Sequence, residues 1–325
     1  MEKLTPRTTN ILKSQVATEK IPLLLTKTRN LIFGIEVDKG LLFKLFLYVL
    51  LIDTAFIYLN PILTMISTML KNSSDLTNPS VVWIPNELYM GVLQDAWEKL
   101  DYVKGFAVST GLSTLVALLQ TISCAVAGYA FARLRIPGKN FWFFCLLITF
   151  IVPPQVTILP NIIVANRLGW MQTLFPIVLP AVFGHGLKGA LFVIIYRQFF
   201  STQPKELEEA ARIDGANVWT IFRKVMLPLA KPAMIVVFLF SFVWTWNDFY
   251  LPSMYLYNTE YQPLSLGISS ISHQLNLEAE TTGPTVFQDS IKMATGFLMI
   301  MPLLILYMFT QRWFVEGVER TGLVE

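Results

Sequence analysis

The sequence predicts an all-helical protein that crosses a membrane six times, and three observations predict it. Of 325 residues, 54% are hydrophobic and 14% charged, against roughly 45–50% and about 25% in soluble proteins. The mean hydropathy is +0.54. The charges also cluster, leaving apolar windows of the length, about 20 residues, that a helix needs to cross about 30 Å of hydrocarbon. So much apolar surface excludes both a soluble enzyme and a disordered chain.

The elements follow in order. Residues 1–40 read as a mixed-charge tail whose apolar stretches, 23–25 and 31–33, suit an interfacial helix. Residues 41–70 form the first span, with Asp53 as the one charge in 45–70. It starts too late and is too poor in small residues for a cleaved signal peptide. Residues 71–104 are a loop rich in Asn, Ser and Pro, with a helix expected over 92–100. The windows 105–132, 140–166 and 293–311 carry no charge and give spans two, three and six. The windows 168–196 and 232–259 carry only Lys188 and Asp248 respectively and give spans four and five. Residues 105–312 thus make a five-helix core, 197–232 a long loop within it, and 313–325 a short tail.

Orientation follows from the basic residues. With the N-terminus inside, segments 1–44, 133–139, 197–232 and 312–325 hold 19 of the 25 Lys and Arg, the excess expected on the cytoplasmic side. Both termini are therefore expected in the cytoplasm. The net charge of +3 then needs no nucleic-acid partner. Cys124 and Cys145 fall within spans two and three, where a thiol behaves as a small hydrophobe, and two cysteines build neither a disulfide framework nor a metal site.

Two spans are interrupted. Span three contains Pro153, Pro154 and Pro160; span four contains Pro176, Pro180, Gly184, Gly186 and Gly189. Proline removes a backbone donor, and the carbonyls it frees within a bilayer must find protein or water. Such breaks either kink a helix for packing or line an aqueous path; the sequence leaves both readings open. Gly128 and Ala132 form a small-residue ridge for close helix contact.

The loop 197–232 is not a linker. Pro204 sits in the first turn of an expected helix, with Glu206, Glu208 and Glu209 at its positive end. Leu207, Ala210 and Ala211 share one face. Asp214 and Gly215 break that helix, and Val218, Ile221, Phe222 and Val225 give a second apolar stripe ending at Leu227 and Pro228. A pair of short amphipathic helices suits a partner with a groove.

Glu209-Ala210-Ala211, three residues, Gly215, nine residues, Val225, one residue and Leu227-Pro228 closely resemble the "EAA" signature of permease subunits from binding-protein-dependent ABC importers. Val225 stands where that family usually has Ile. From about residue 105 onward the chain is most similar to the maltose-type carbohydrate branch, through Tyr129–Arg133, Pro137-Gly138-Lys139, Trp246-Asn247-Asp248 and Gln311-Arg312 with Gly317. The resemblance implies the type I importer permease fold in the inner, plasma membrane of a prokaryote. It implies a subunit that moves a sugar or oligosaccharide, works with a second homologous permease, two ATPase subunits and an extracytoplasmic solute-binding protein, and docks its ATPases on Glu209, Ala210, Ala211, Asp214, Gly215, Leu227 and Pro228. No catalytic residue, metal or cofactor is expected in this chain. No phosphate-cradling glycine-rich loop occurs, since Gly138-Lys139 lacks both the upstream glycine and the following hydroxyl residue. ATP and Mg are expected on the partner.

A polar solute leaving water needs replacement hydrogen bonds. Gln155, Asn247 and Asp248 are the candidates at suitable depth, with Trp244 and Trp246 as rings for a sugar to stack on or as interfacial belt residues. Asp248 lies sixteen residues past Pro232, about 24 Å along a helix, so it either lines the path or caps a neighbouring helix. Asp53 reads as pairing with another span. Lys188 reads as snorkelling toward the inner surface, and His185 has no companion ligands. Importers of polyols, glycerol phosphate or peptides are the rival reading. A membrane-embedded enzyme would need clustered His, Asp or Glu, which two histidines do not supply.

Overall fold

The computed structural model describes residues 40–257, 259–282 and 285–322. The interfacial helix expected in the first 40 residues and the extreme C-terminus from 323 lie outside them. Every regular element among the described residues is a helix. The chain divides into two compact units, Met1–Thr64 and Met65–Glu325.

Helix α1 (Leu41–Met69) occupies the described part of the first unit and ends in the second. Its side chains from Leu41 to Leu59 are exposed, as in a helix solvated by lipid. Asp53 is exposed on it.

In the second unit, α2 (Ser73–Thr77) begins at Asn72, whose side-chain oxygen accepts the Asp75 amide at 2.9 Å. α3 (Gly91–Lys99) realises the helix expected over 92–100. α4 (Tyr102–Arg133) is the central pillar, and α8 (Gly189–Thr202) and α11 (Lys231–Asn247) pack most extensively along it. α8 runs parallel to α4: Cys124 lies against Gly189, Gly128 against Tyr196 and Arg133 against Gln203. α11 runs antiparallel, pairing Ser241 with Gln120 and Trp246 with Phe106. The ridge at Gly128 has a concrete purpose. A Cβ there would lie 2.4 Å from the Cβ of Tyr196, so only glycine allows the two helices this close.

α5 (Lys139–Ile151) and α6 (Pro154–Arg167) meet at the Pro153-Pro154 step with a bend of 98°. α7 (Phe175–Val182) precedes α8. α9 (Glu206–Ile213) and α10 (Val218–Leu229) lie in the long loop 197–232, and α10 meets α11 at 77°. α12 (Tyr250–Tyr255), α13 (Gly267–Thr282) and α14 (Gln288–Gly322) complete the chain.

The interruptions expected in spans three and four are present, and not every one of the six expected spans stands out as one long helix. Three helices are long and apolar enough to cross a membrane: α1, α4 and α14 over Gln288–Trp313; the count rises to five if each bent pair is one span. The fourth window fails the test because it is cut into helices of 8 and 14 residues. Between them Gly184, Gly186 and Lys188 take φ of 69°, 100° and 60°. The freed carbonyls are not left bare. Gln120, fully buried in α4, donates through Nε2 to the carbonyls of His185 at 3.1 Å and Leu187 at 3.2 Å, and Ser123 donates to that of Ala181 at 2.7 Å. Hydrophobic periodicity gives no hint of this clasp.

A candidate coupling surface and solute path

The first helix of the loop 197–232 opens at Glu206, two residues after Pro204 rather than around it. The face it buries splits the stripe of Leu207, Ala210 and Ala211. Glu208 and Ala211 face the protein, whereas Leu207 and Ala210 are exposed. An apolar stripe alone selects Leu207; a charge partner overrides it. The Glu208 carboxylate, with its side chain 6% exposed, lies 3.2 Å from the Arg133 guanidinium at the end of α4 and 3.4 Å from Arg212 one turn on. Arg133 also donates to the Gln203 carbonyl at the end of α8. One buried ion pair thus ties α9 to two pillars of the core.

Gly215 follows with φ of +81° and open space where a Cβ would stand. Glycine is there for the left-handed turn. Asn217 then caps α10 by accepting the Thr220 amide at 2.8 Å. The inner stripe of α10, with Ile221, Phe222 and Met226 buried, packs on Tyr129, Phe200 and Ala230. Val225 and Leu227 flank that cluster, and a π turn over Phe222–Met226 precedes Leu227, so Pro228 sits within a continuing helix rather than ending it. The outer surface carries Glu209, Ala210, Ile213, Asp214, Gly215, Val218, Trp219 and Pro228, all exposed. Ile213 is 86% and Trp219 60% exposed, a large apolar area beside acids.

The polar residues proposed for a path separate into places. Trp246 and Asn247 line a pocket of about 390 Å³, together with Phe249, Ser265, Ser269 and Met299. Trp246 is held rigidly there: its Nε1 donates to the Met299 carbonyl at 3.2 Å, and its ring contacts Phe242 and Phe106. Trp244 is sandwiched between Phe192 and Phe240, at 5.5 and 5.3 Å between centroids. The Asp248 carboxylate accepts the Tyr250 and Leu251 amides at 3.0 and 3.4 Å and so caps α12. Gln155 is exposed in the first turn of α6 and lines no part of this pocket. Among the described residues no group of three or more His, Cys, Asp or Glu is placed to hold a metal ion.

The family described as "binding-protein-dependent transport system inner membrane component" matches residues 124–320, a stretch that includes α8 through α13, the pocket and the whole loop 197–232. The chain belongs to this family. It is an ABC importer permease of the inner membrane. The arabinooligosaccharides transport permease AraQ of Halalkalibacterium halodurans is 28% identical over 276 residues, covering 82% of this chain and 92% of that protein. The sn-glycerol-3-phosphate transport permease UgpE of Pectobacterium atrosepticum is 28% identical over 291 residues, covering 87% and 98%. A bacterial ABC transporter involved in import of the acidic polysaccharide alginate superposes with a TM-score of 0.71 at 23% identity, covering 85% of this permease and 97% of that chain. That likeness fixes the fold.

Sequence reasoning missed two interactions of this permease that the geometry puts forward, the pairing of Glu208 with Arg133 and the hold of Gln120 on the carbonyls of His185 and Leu187. Both pairings join positions more than sixty residues apart.

Proposed function

We propose that this permease is one half of a translocation unit for a sugar, an oligosaccharide or a related polar solute. It crosses the membrane six times, with both termini in the cytoplasm and the domain limits given by the hydropathy windows. A second homologous permease forms the other half, two ATPase subunits carry ATP and Mg, and an extracytoplasmic binding protein delivers the solute. Relatives named for arabinooligosaccharides and for sn-glycerol 3-phosphate support a polyhydroxylated cargo. The observation that carries the reading is the split character of α9 and α10. One face is locked to α4 by Glu208 and Arg133; the other offers Glu209, Ala210, Asp214, Gly215 and Trp219 to a partner.

In this mechanism ATPase closure pushes the exposed face, and the buried ion pair hands the movement to α4, the helix that holds α8 and α11. Leu227 and Pro228 carry the same push into α11. The solute passes the pocket at Asn247, with Trp246 as a fixed wall, Asp248 shaping the α11–α12 corner, Trp244 stiffening α11 and Gln155 contributing from the bent third span. Single cysteines at Asn217 and Asn276, in a chain lacking Cys124 and Cys145, test the topology. Both positions are exposed. Impermeant thiol reagents should label them from opposite sides of sealed vesicles, and labelling from one side overturns the six-span arrangement.

A further inference from the structure

The hydropathy windows put the break between α7 and α8 near the middle of a bilayer, where an interrupted helix is least tolerated. Gln120, which holds the carbonyls of His185 and Leu187, lies within a turn of the midpoint of the charge-free stretch 105–132 of α4. About 15 Å of hydrocarbon separates that level from either headgroup layer. At this depth Lys188 and His185 are exposed, and Phe183 beside them is 78% exposed. Among the described residues neither the Lys188 ammonium nor the His185 ring has a hydrogen-bond or ion-pair partner.

The snorkelling expected of Lys188 fails on this geometry, because its four-carbon stem covers only part of the distance to the surface. An unpaired ammonium facing lipid at mid-membrane is strongly disfavoured, so this face meets water or a counter-charge. Its backbone context favours a negative one: Lys188 is the N-cap of the 14-residue α8 and leaves the first amides of that helix without a side-chain cap. The partial positive charge of those amides adds to that of the ammonium. The clasp by Gln120 and Ser123 fixes the break, so the cationic group is presented at constant depth rather than on a loose loop.

We propose that Lys188, with His185 beside it, is an anion-recognition point in the solute path, and that the translocated solute carries a phosphate or carboxylate group received there. This rests on the importer reading above. The test uses the assembled importer in membrane vesicles, with His185→Cys as the probe position in a chain whose Cys124 and Cys145 are replaced by Ser. Phe183→Cys serves as a second probe should the first not assemble. Methanethiosulfonate ethylsulfonate, an anion, should modify the probe faster than its trimethylammonium counterpart. The ratio of the two rates should fall about five-fold or more in Lys188→Gln and survive in Lys188→Arg. sn-Glycerol 3-phosphate or D-glucuronate should slow the reaction where maltose does not, the first marking phosphate and the second carboxylate recognition. If the probes react with neither reagent, this stretch faces lipid or the sister permease and lies outside the path. If they react with a ratio indifferent to Lys188, or if neither anion protects, the path stands and the anion site is overturned.

Discussion

A buried ion pair works beside the apolar stripe of α10 in attaching the loop 197–232. Glu208 and Arg133 are both more than nine-tenths buried, and removing one partner of such a pair leaves the other charged without compensation, at a cost of about 3–5 kcal/mol. Glu208→Ala and Arg133→Ala should therefore each lower the melting temperature of the detergent-purified permease sharply. The double variant should cost clearly less than the two single effects added; strict additivity in that cycle would mean the pair does not couple α9 to α4. Nothing local marks Glu208 out. In the sequence it is one of three acids at a helix start, and its partner stands 75 positions earlier. Glu209, by contrast, was legible because it belongs to a spaced signature. Trp244 and Trp246 looked equivalent for the same reason that Glu206, Glu208 and Glu209 did: two residues apart on one helix, they differ only in what another helix places against them.

At the scale of elements, the break at Asp214-Gly215 and the interruptions at Pro153-Pro154 and around Gly184 to Gly189 were legible; the donors that hold them were not. Gly215 and Asn217 carry their own turn chemistry. Proline does not decide alone: Pro61, Pro160, Pro180 and Pro302 stay inside helices, while the Pro153-Pro154 step bends the chain. What permits the second break, at 183–188, is the set of donors on α4, and that depends on which helices are neighbours. The loop before α3 follows the same logic on a smaller scale. Lys71 donates to the carbonyls of Val81 and Val82, and buried Asp75 accepts both the side chain and the backbone amide of Asn86. The Asn86 side-chain bond is the main reason that the Asp75 carboxyl titrates below its ordinary 3.8. A carboxyl lowered in the folded loop stabilises it at pH above that ordinary value, and the contribution is lost as pH falls through the lowered one. Hydrogen exchange of the segment 72–90, corrected for the intrinsic rate, should show steady protection from neutral pH down to about pH 4 and a loss below it. The acid step should vanish in Asp75→Asn. Protection that rises on acidification would contradict the account.

For the whole molecule, the apolar windows and the spaced signature gave the class and the family, because each is a property of local sequence. Three helices, or five with the bent pairs, are long enough to cross by themselves, because the proline- and glycine-marked windows fold as shorter pieces. The architecture is a packed trio of α4, α8 and α11, a loop attached to it by the Glu208–Arg133 pair and by the apolar stripe of α10, and a helix broken between α7 and α8. In the mechanism proposed above, the exposed face of α9 and α10 transmits ATPase closure to this trio. The most direct test is ATP hydrolysis by the reconstituted importer, with and without solute-loaded binding protein, for Gly215→Pro and Glu209→Lys. The account predicts that both variants assemble at normal abundance and hydrolyse ATP at the unstimulated rate whether or not the loaded binding protein is present. Full stimulation in both, with the permease still assembled, would contradict it.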